Sequence, residues 1–238
     1  MTAYNAKINT DGQYRTFCGW STISMVENDL KFIENYMKNH SFLKKYFSAL
    51  PSSSYHMTIY NIWSNGSPFL KHQKNFIDKN FPKETREIIK SNNRQDSLTF
   101  FNPDGCINDL LYRLQFACEN SWDKIKLEIN YIYFSGNTIG ICLKDSDIFS
   151  NVNICRKKMF NICGHDDHMG QYHITLAYKY KDIDKETEKL ILNEVHILNM
   201  LLNEQTITLN KPYVCCFSDM TSFKSFTESL TESLTESL

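Results

Sequence analysis

Two short stretches of the chain are near copies of each other: YHMTIYN at residues 55–61 and YHITLAY at residues 172–178. Both are rich in β-branched and aromatic residues, a composition that favours β-strand. Because side chains alternate between the two faces of a strand, His56 and Thr58 share one face while Met57 points to the other. Each stretch therefore predicts a strand with a polar face and a buried face.

The second stretch repeats the pattern with His173 and Thr175. A single histidine in a strand is often only a packing residue, but the repetition predicts two equivalent strands that bring two imidazoles and two hydroxyls to one cleft. An imidazole has an unperturbed pKa near 6.5, so near neutral pH one ring can accept a proton while the other donates one. The threonine hydroxyls can donate hydrogen bonds to a phosphoryl oxygen as its negative charge grows. Such a site needs no metal and no other cofactor.

Hydrophobic periodicity predicts a mixture of helices and strands around these two stretches. Strands are predicted at residues 19–26, 55–63, 124–134, 137–144, 172–178, 205–209 and 213–220, with a continuation at 222–226. Helices are predicted at residues 28–50, 104–122, 145–163 and 185–203. In this order a strand and a helix precede each His-x-Thr strand, which indicates a rough internal two-fold repeat.

We expect one domain over residues 1–226. Residues 64–122 read as a largely helical insertion, with a short helical piece at 83–90, because residues 64–103 have too few apolar residues to bury a core of their own. Residues 227–238 repeat Thr-Glu-Ser-Leu three times and read as a low-complexity tail, for which disorder is favoured over a frayed helix.

Charge and composition exclude several classes of function. With 26 basic and 27 acidic residues the net charge is −1, so the chain lacks the positive surface of a protein that grips long nucleic acid. We find no apolar run of bilayer length and no signal peptide, so we expect neither a membrane partner nor secretion. The eight cysteines then indicate free thiols in a reducing compartment, which favours a cytoplasmic protein. The oligomeric state is left open.

YHMTIYNI and YHITLAYKY resemble the paired motifs of the two-histidine (2H) phosphoesterase superfamily, which includes the LigT-like RNA phosphodiesterases. The stretch GQYRTFCGWSTISMV is similar to the opening of a larger, poorly characterised branch of that superfamily. The resemblance implies an α+β, bilobal fold with pseudo-two-fold symmetric antiparallel sheets around a central cleft and helices outside. It also implies that His56, Thr58, His173 and Thr175 catalyse metal-independent cleavage of a phosphodiester.

Substrates of the superfamily include cyclic dinucleotides of immune signalling, 2′–5′-linked oligoadenylates and 2′,3′-cyclic phosphates. Because the chain is not basic, we favour a small nucleotide, such as 2′,3′-cGAMP or a 2′–5′ oligoadenylate, which a viral or parasite protein would remove as a host second messenger. An RNA-end 2′,3′-cyclic phosphodiesterase and a non-catalytic nucleotide-binding module are the alternatives. The sequence leaves open which histidine is the base and whether the product is a cyclic phosphate or a monoester.

Three residues are candidates for substrate binding, with ordinary packing as the alternative for each. By strand parity Tyr60 shares the face of His56 and Lys179 shares that of His173, and Trp20 lies on a strand that can reach the cleft. The same parity assigns Tyr178 to the core.

A run with metal-capable side chains lies before the second motif. It contains Cys155, Cys163, His165 and His168, but its spacing is not that of a standard zinc site. We therefore expect no metal there.

Overall fold

The computed structural model describes residues 7–64, 83, 108–164 and 172–227, and these residues form an α+β fold. The strands are β1 (Gly19–Met25), β2 (Phe47–Ala49), β3 (His56–Ser64), β4 (Ile125–Phe134), β5 (Thr138–Leu143), β6 (His173–Lys179), β7 (Thr206–Leu209), β8 (Tyr213–Phe217) and β9 (Lys224–Ser225). The helices are α1 (Lys31–Asn39), α2 (Asn108–Glu119), α3 (Phe149–Cys163) and α4 (Lys185–Leu202). Single 3-10 turns occur at Leu43–Lys45 and Ser52–Ser54.

The nine strands form one curled antiparallel sheet in which the two His-x-Thr strands lie side by side at the centre. The order is β7-β4-β5-β6-β3-β1-β8-β9, and β2 pairs with the outer part of β6. Along this order four strands lie on each side of the boundary between β3 and β6, and β2 is an additional strand beside β6. This arrangement makes the two motifs neighbours even though the chain separates them by a long segment.

Helices cover one face of the sheet and build the core with it. Helix α3 packs against β3 and against α2, while α4 packs against β4. The Thr22 hydroxyl lies 3.6 Å from the sulfur of Met159, which fixes this face of β1 as the face that looks towards α3. We call it the helix face, and the opposite face the site face.

Most predicted elements are found near their predicted bounds, and the reasons are local. Gly136, at φ 81°, makes the turn between β4 and β5, and Gly164, at φ 75°, ends α3 in the left-handed conformation that glycine adopts easily. The Asp184 carboxylate accepts a hydrogen bond from the Thr187 amide at 2.7 Å and starts α4. The α+β class is confirmed.

One predicted helix is wrong in extent. Residues 28–50 do not form a single helix, because α1 ends at Asn39 and His40 adopts extended backbone angles. The chain then makes a short turn and enters β2, whose residues pair with the end of β6 from Phe47 to Ala49. Three residues are too few for an alternating pattern, so pairing with β6, not local sequence, determines this strand.

The helical piece predicted at residues 83–90 lies outside the described residues except for Lys83. Most of the 64–122 insertion and the Thr-Glu-Ser-Leu repeats beyond residue 227 also lie outside them. Helix α2 is the described part of the insertion. Among the described residues, none of the helices combines the length and apolar character needed to cross a bilayer.

Gly19 permits the close approach of β1 and β3, and we expect Gly19→Ala to be strongly destabilising. A Cβ atom there would lie 2.1 Å from the carbonyl oxygen of Trp63 and 2.8 Å from the Cα of Ser64, so backbone would have to move. We expect a loss of about 3 kcal/mol in unfolding free energy, measured by urea denaturation.

Gly136→Ala is the matched control. A Cβ at Gly136 meets nothing within 4 Å, so only the strain of its positive φ remains, a cost of about 1–2 kcal/mol. Equal losses in the two variants would show that the β1–β3 contact does not require glycine.

Candidate active site

A single cross-strand pair joins the two motifs. Met57 on β3 pairs with Ile174 on β6 in antiparallel register, and both side chains are 0% exposed. They lie on the helix face and belong to the core. The neighbouring residues on each strand therefore point to the site face.

The four motif side chains flank this pair on the site face. His56, Thr58, His173 and Thr175 are all half-buried, in contrast to the buried residues between them. The predicted alternation within each His-x-Thr motif is thus confirmed. Antiparallel register puts His56 opposite Thr175 and His173 opposite Thr58, so the two histidines are diagonal neighbours, at a typical spacing of about 7–8 Å.

A hydrogen bond fixes the orientation and tautomer of His56. Its Nδ1 lies 2.8 Å from the carbonyl oxygen of Ser54, and because a carbonyl can only accept, Nδ1–H is the donor. In the neutral ring this leaves the lone pair on Nε2. The Ser54 carbonyl is itself held by the 3-10 turn Ser52–Ser54, whose first amide donates to the Glu34 carboxylate at 2.8 Å.

Burial lowers the pKa of His56 to about 4. The bond to Ser54 opposes this shift, while the positive charges of Lys7 and His173 add to it. His56 is therefore a neutral imidazole at pH 7, with its Nε2 able to accept a proton.

Each histidine has an aromatic neighbour that sequence reasoning did not identify. The Phe223 ring lies 4.2 Å from the His56 ring, centroid to centroid, and the Tyr133 ring packs edge-on to His173 at 6.1 Å. Phe223 precedes β9 and Tyr133 lies on β4, so elements from both halves of the sheet surround the motifs. No sequence pattern marks either residue, because both depend on strand order.

Gly140 makes room for Tyr133 beside the site. Gly140 lies between Tyr133 on β4 and Thr175 on β6, and a Cβ there would lie 2.6 Å from the Tyr133 hydroxyl. Burial raises the pKa of Tyr133 to about 12, so the hydroxyl stays protonated at neutral pH and remains a hydrogen-bond donor. The glycine thus allows a neutral donor to lie over the strand next to the motif.

Two predicted substrate-binding residues lie on the helix face, which corrects the parity argument. In the β1–β3 ladder Ile23 pairs with Thr58 and Thr22 pairs with Tyr60, so Ile59 has no paired residue on β1. The side chains of β3 beyond this bulge therefore point to the face opposite to the one that regular alternation predicts. Tyr60 is 1% exposed as a result.

Trp20 shares the side of Thr22 in the unbroken β1–β8 ladder. It is 4% exposed and packs with Trp63 at 6.0 Å between ring centroids. The structure therefore does not bring Trp20 to the site face.

A second bulge reverses the faces of the sheet to which Lys179 and Tyr178 were predicted to point. Gly140 pairs with Thr175 but Ile139 pairs with Ala177, so one residue of β6 is skipped and parity inverts. Lys179 then shares the face of its partner Phe47, whose ring packs on Phe134, away from the site. Tyr178 is buried in the hydrophobic core, as predicted from sequence, although the bulge turns it to the site face.

The N-terminal segment crosses the site face, a feature that sequence reasoning missed. Ile8 and Tyr14 form an antiparallel bridge around a turn, and the Tyr14 hydroxyl donates to the Ser48 carbonyl at 2.9 Å. This short hairpin carries Lys7, whose ammonium donates to the Tyr178 hydroxyl at 3.1 Å. A polar segment before the first strand gives no periodic signal, so only the three-dimensional arrangement reveals the contact.

Within the part of the chain that the structure describes, no group of three or more His, Cys, Asp or Glu side chains is arranged to hold a metal ion. Cys155 and Cys163 are buried on α3, and His165 and His168 lie outside the described residues.

Comparisons with known proteins found a relative of similar sequence and a solved structure of similar fold. No protein-family model matches the sequence. Over 234 residues the chain is 25% identical to "Uncharacterized protein 127L" of Invertebrate iridescent virus 6, covering 94% of this chain and 95% of that protein.

A crystal structure of a "Conserved Protein of Unknown Function", ATU0111 from Agrobacterium tumefaciens, has a similar fold with a TM-score of 0.64 at 16% identity. The match covers 92% of this chain and 89% of that one. The curled α+β fold therefore occurs in a bacterial protein of very different sequence.

The lowered pKa of His56 predicts a specific pH dependence of stability. Between pH 6.5 and 4 the unfolded chain binds a proton at residue 56 that the folded chain does not, so stability rises with pH across this window. As pH falls from 6.5 to 4 we expect a loss on the order of 3 kcal/mol relative to a variant without the titrating ring. Urea unfolding at several pH values measures it.

His56→Asn is the reference variant, because its amide NH₂ can keep the hydrogen bond to the Ser54 carbonyl while removing the titration. NMR of ¹³C-labelled histidine should show His56 titrating near pH 4. A midpoint near 6.5, with parallel stability curves for the two proteins, would contradict the assignment.

Proposed function

We propose that the chain is a metal-independent phosphodiesterase of the two-histidine type that cleaves a small nucleotide. The observation that carries the proposal is the Met57–Ile174 pair, since it puts all four His and Thr side chains of the motifs on one face of two adjacent strands. Two imidazoles and two hydroxyls in this arrangement can surround one phosphoryl group. The proposal includes membership of the 2H phosphoesterase superfamily.

The strand order supports the bilobal, pseudo-two-fold arrangement of that superfamily as part of the proposal. The sheet divides into β7-β4-β5-β6 and β3-β1-β8-β9, and each half has its His-x-Thr strand innermost. The motif strands run antiparallel, as a two-fold axis between them requires. In this proposal the cleft lies over the boundary between β3 and β6.

In the mechanism that we propose, His56 is the general base. Its Nδ1–H is committed to the Ser54 carbonyl, so Nε2 accepts the proton of the attacking hydroxyl, which is either a ribose 2′-OH or water. The new O–P bond forms as the bond from phosphorus to the leaving oxygen breaks, and protonated His173 gives its proton to that oxygen. The negative charge of the bound phosphodiester raises the proton affinity of the His56 ring during the reaction.

The threonines complete the site. Thr58 and Thr175 each lie opposite the histidine of the other strand, so their hydroxyls can donate to the non-bridging phosphoryl oxygens. This donation strengthens as charge accumulates on those oxygens, which lowers the barrier without a metal ion.

The favoured substrate is a cyclic dinucleotide such as 2′,3′-cGAMP or a 2′–5′-linked oligoadenylate. The net charge of −1 argues against a polymeric RNA substrate, whose binding draws on many phosphate contacts. A similar protein occurs in an iridescent virus, and removal of a host nucleotide signal in the cytoplasm is the setting that we propose.

Two alternatives remain distinct in their expected behaviour. An RNA-end phosphodiesterase would use the same four residues on 2′,3′-cyclic phosphate termini and would bind single-stranded RNA in a salt-sensitive way. A non-catalytic nucleotide-binding module would bind without turnover. The neutral, oriented base at His56 favours an enzyme, because a binding module has no need of a fixed tautomer.

The test measures cleavage of a panel of nucleotides in the presence of EDTA. The panel contains 2′,3′-cyclic nucleotides, 2′–5′ oligoadenylate, 2′,3′-cGAMP, 3′,3′-cyclic dinucleotides and capped RNA ends. We expect turnover of at least one member, and loss of about 10²–10⁴-fold in kcat/KM for His56→Ala and His173→Ala. Thr58→Val and Thr175→Val should lower kcat more than they change KM.

His196→Ala is the matched control, because His196 is exposed on α4. It should retain wild-type turnover. Absence of turnover with every substrate would overturn the enzyme proposal, and activity abolished by EDTA would overturn the mechanism.

A further inference from the structure

We propose that Lys7, positioned by Tyr178, forms a phosphate-binding subsite beside His56 that takes a second phosphoryl group of the substrate. The inference deepens the proposed function and rests on it in one respect, that the ligand of the motif face is a nucleotide. It adds a binding group on the N-terminal hairpin, which lies outside both His-x-Thr motifs.

The ammonium of Lys7 is held in place by aromatic contacts. It lies 4.9 Å from the Tyr178 ring centroid and 5.0 Å from that of Phe17, and it donates to the Tyr178 hydroxyl at 3.1 Å. The backbone is fixed as well, since the Lys7 carbonyl accepts from the Arg15 amide at 3.0 Å. A flexible lysine is thereby restricted to one position before a ligand arrives, which reduces the entropy cost of binding.

The contacts of the Lys7 ammonium in the described part of the chain are with uncharged groups. Among the described residues no carboxylate forms an ion pair with it, and the neighbouring groups are uncharged rings and a hydroxyl. The residue is half-buried, so it is not fully enclosed by the protein. A partly buried cation without an anion is well suited to bind a phosphate, because the attraction is screened less than at an open surface.

Lys7 lies on one side of the motif residues. Tyr178 follows Thr175 on β6 beyond the bulge, and Thr175 faces His56, so the ammonium lies on the His56 side. The effect of Lys7 on the proton affinity of His56 agrees with this placement. A phosphate bound by Lys7 is therefore next to the phosphate at the motifs and separate from it.

The subsite specifies the class of substrate. A nucleotide with one phosphoryl group fills the motif site alone, whereas one with two phosphoryl groups can fill both positions. The cation thus favours dinucleotides and bisphosphates over 2′,3′-cyclic mononucleotides. This preference separates the favoured substrates from the simplest RNA-end products.

The experiment compares the binding of two ligands that contain no phosphodiester, so no cleavage interferes. Adenosine 3′,5′-bisphosphate and adenosine 3′-monophosphate are titrated into the full chain by calorimetry with EDTA at pH 7, with inorganic pyrophosphate and phosphate as a second pair. We expect wild type to bind the bisphosphate about 10- to 100-fold tighter, the range of one charge-assisted hydrogen bond. Lys7→Met should reduce the preference to about threefold or less.

Lys181→Met is the matched control. Its ammonium lies 5.5 Å from the Tyr180 ring, so the variant removes the same charge and a similar contact with an aromatic ring, on an exposed residue. It should keep the wild-type preference. The proposal is overturned if wild type shows no preference, if Lys7→Met retains it, or if Lys181→Met loses as much.

Tyr178→Phe keeps the test decisive if Lys7→Met does not fold. It removes the hydroxyl that fixes the ammonium but leaves the ring, and we expect the preference to fall by severalfold with monophosphate binding unchanged. An unchanged preference overturns the positioning role. A preference that depends on Lys7, in a protein that cleaves no phosphodiester, would sustain the subsite and overturn only the enzyme.

The pyrophosphate pair identifies what the subsite recognises. A Lys7-dependent preference for pyrophosphate over phosphate equal to that for the bisphosphate indicates that two phosphoryl groups are sufficient. A preference confined to the nucleotide pair indicates that the base and ribose set the spacing. Both results support the subsite and define its ligand.

Discussion

The pairing of Met57 with Ile174 is the contact on which the site depends. Both side chains are fully buried, and burial of a side chain of this size contributes about 1.5–3 kcal/mol. A slip of either strand by one residue would move its His-x-Thr pair into the core and its apolar side chain into solvent. The hydrophobic core therefore maintains the arrangement of the polar groups.

Features that arise from regular alternation could be predicted from the sequence. The α+β class, the two motif strands, the β4–β5 hairpin and helices α3 and α4 all have periodic apolar residues or clear end signals such as Gly164 and Asp184. The half-buried state of the four motif residues has the same origin. These are local properties, so one sequence is sufficient to derive them.

The parts that could not be predicted depend on how strands meet. Bulges in β3 and β6 invert side-chain parity just beyond each motif, so Tyr60 and Lys179 turn to the helix face and Tyr178 turns to the site face. A bulge depends on the partner strand and leaves no mark in the alternation of its own strand. Lys7 and Tyr133 likewise reach the site only through the sheet order and the space at Gly140.

The two motif strands are nearly symmetric, but their surroundings differ and make His56 and His173 chemically unequal. His56 has a fixed tautomer through the Ser54 carbonyl and a cation nearby, whereas His173 packs against the Tyr133 ring. Acid–base catalysis needs such a difference, because two identical imidazoles would compete for one proton. The motifs themselves are alike, so the difference arises from the turn before β3 and from the N-terminal hairpin. In the proposed mechanism the two strands therefore provide the reacting groups, and the segments around them determine which end of a phosphodiester is attacked.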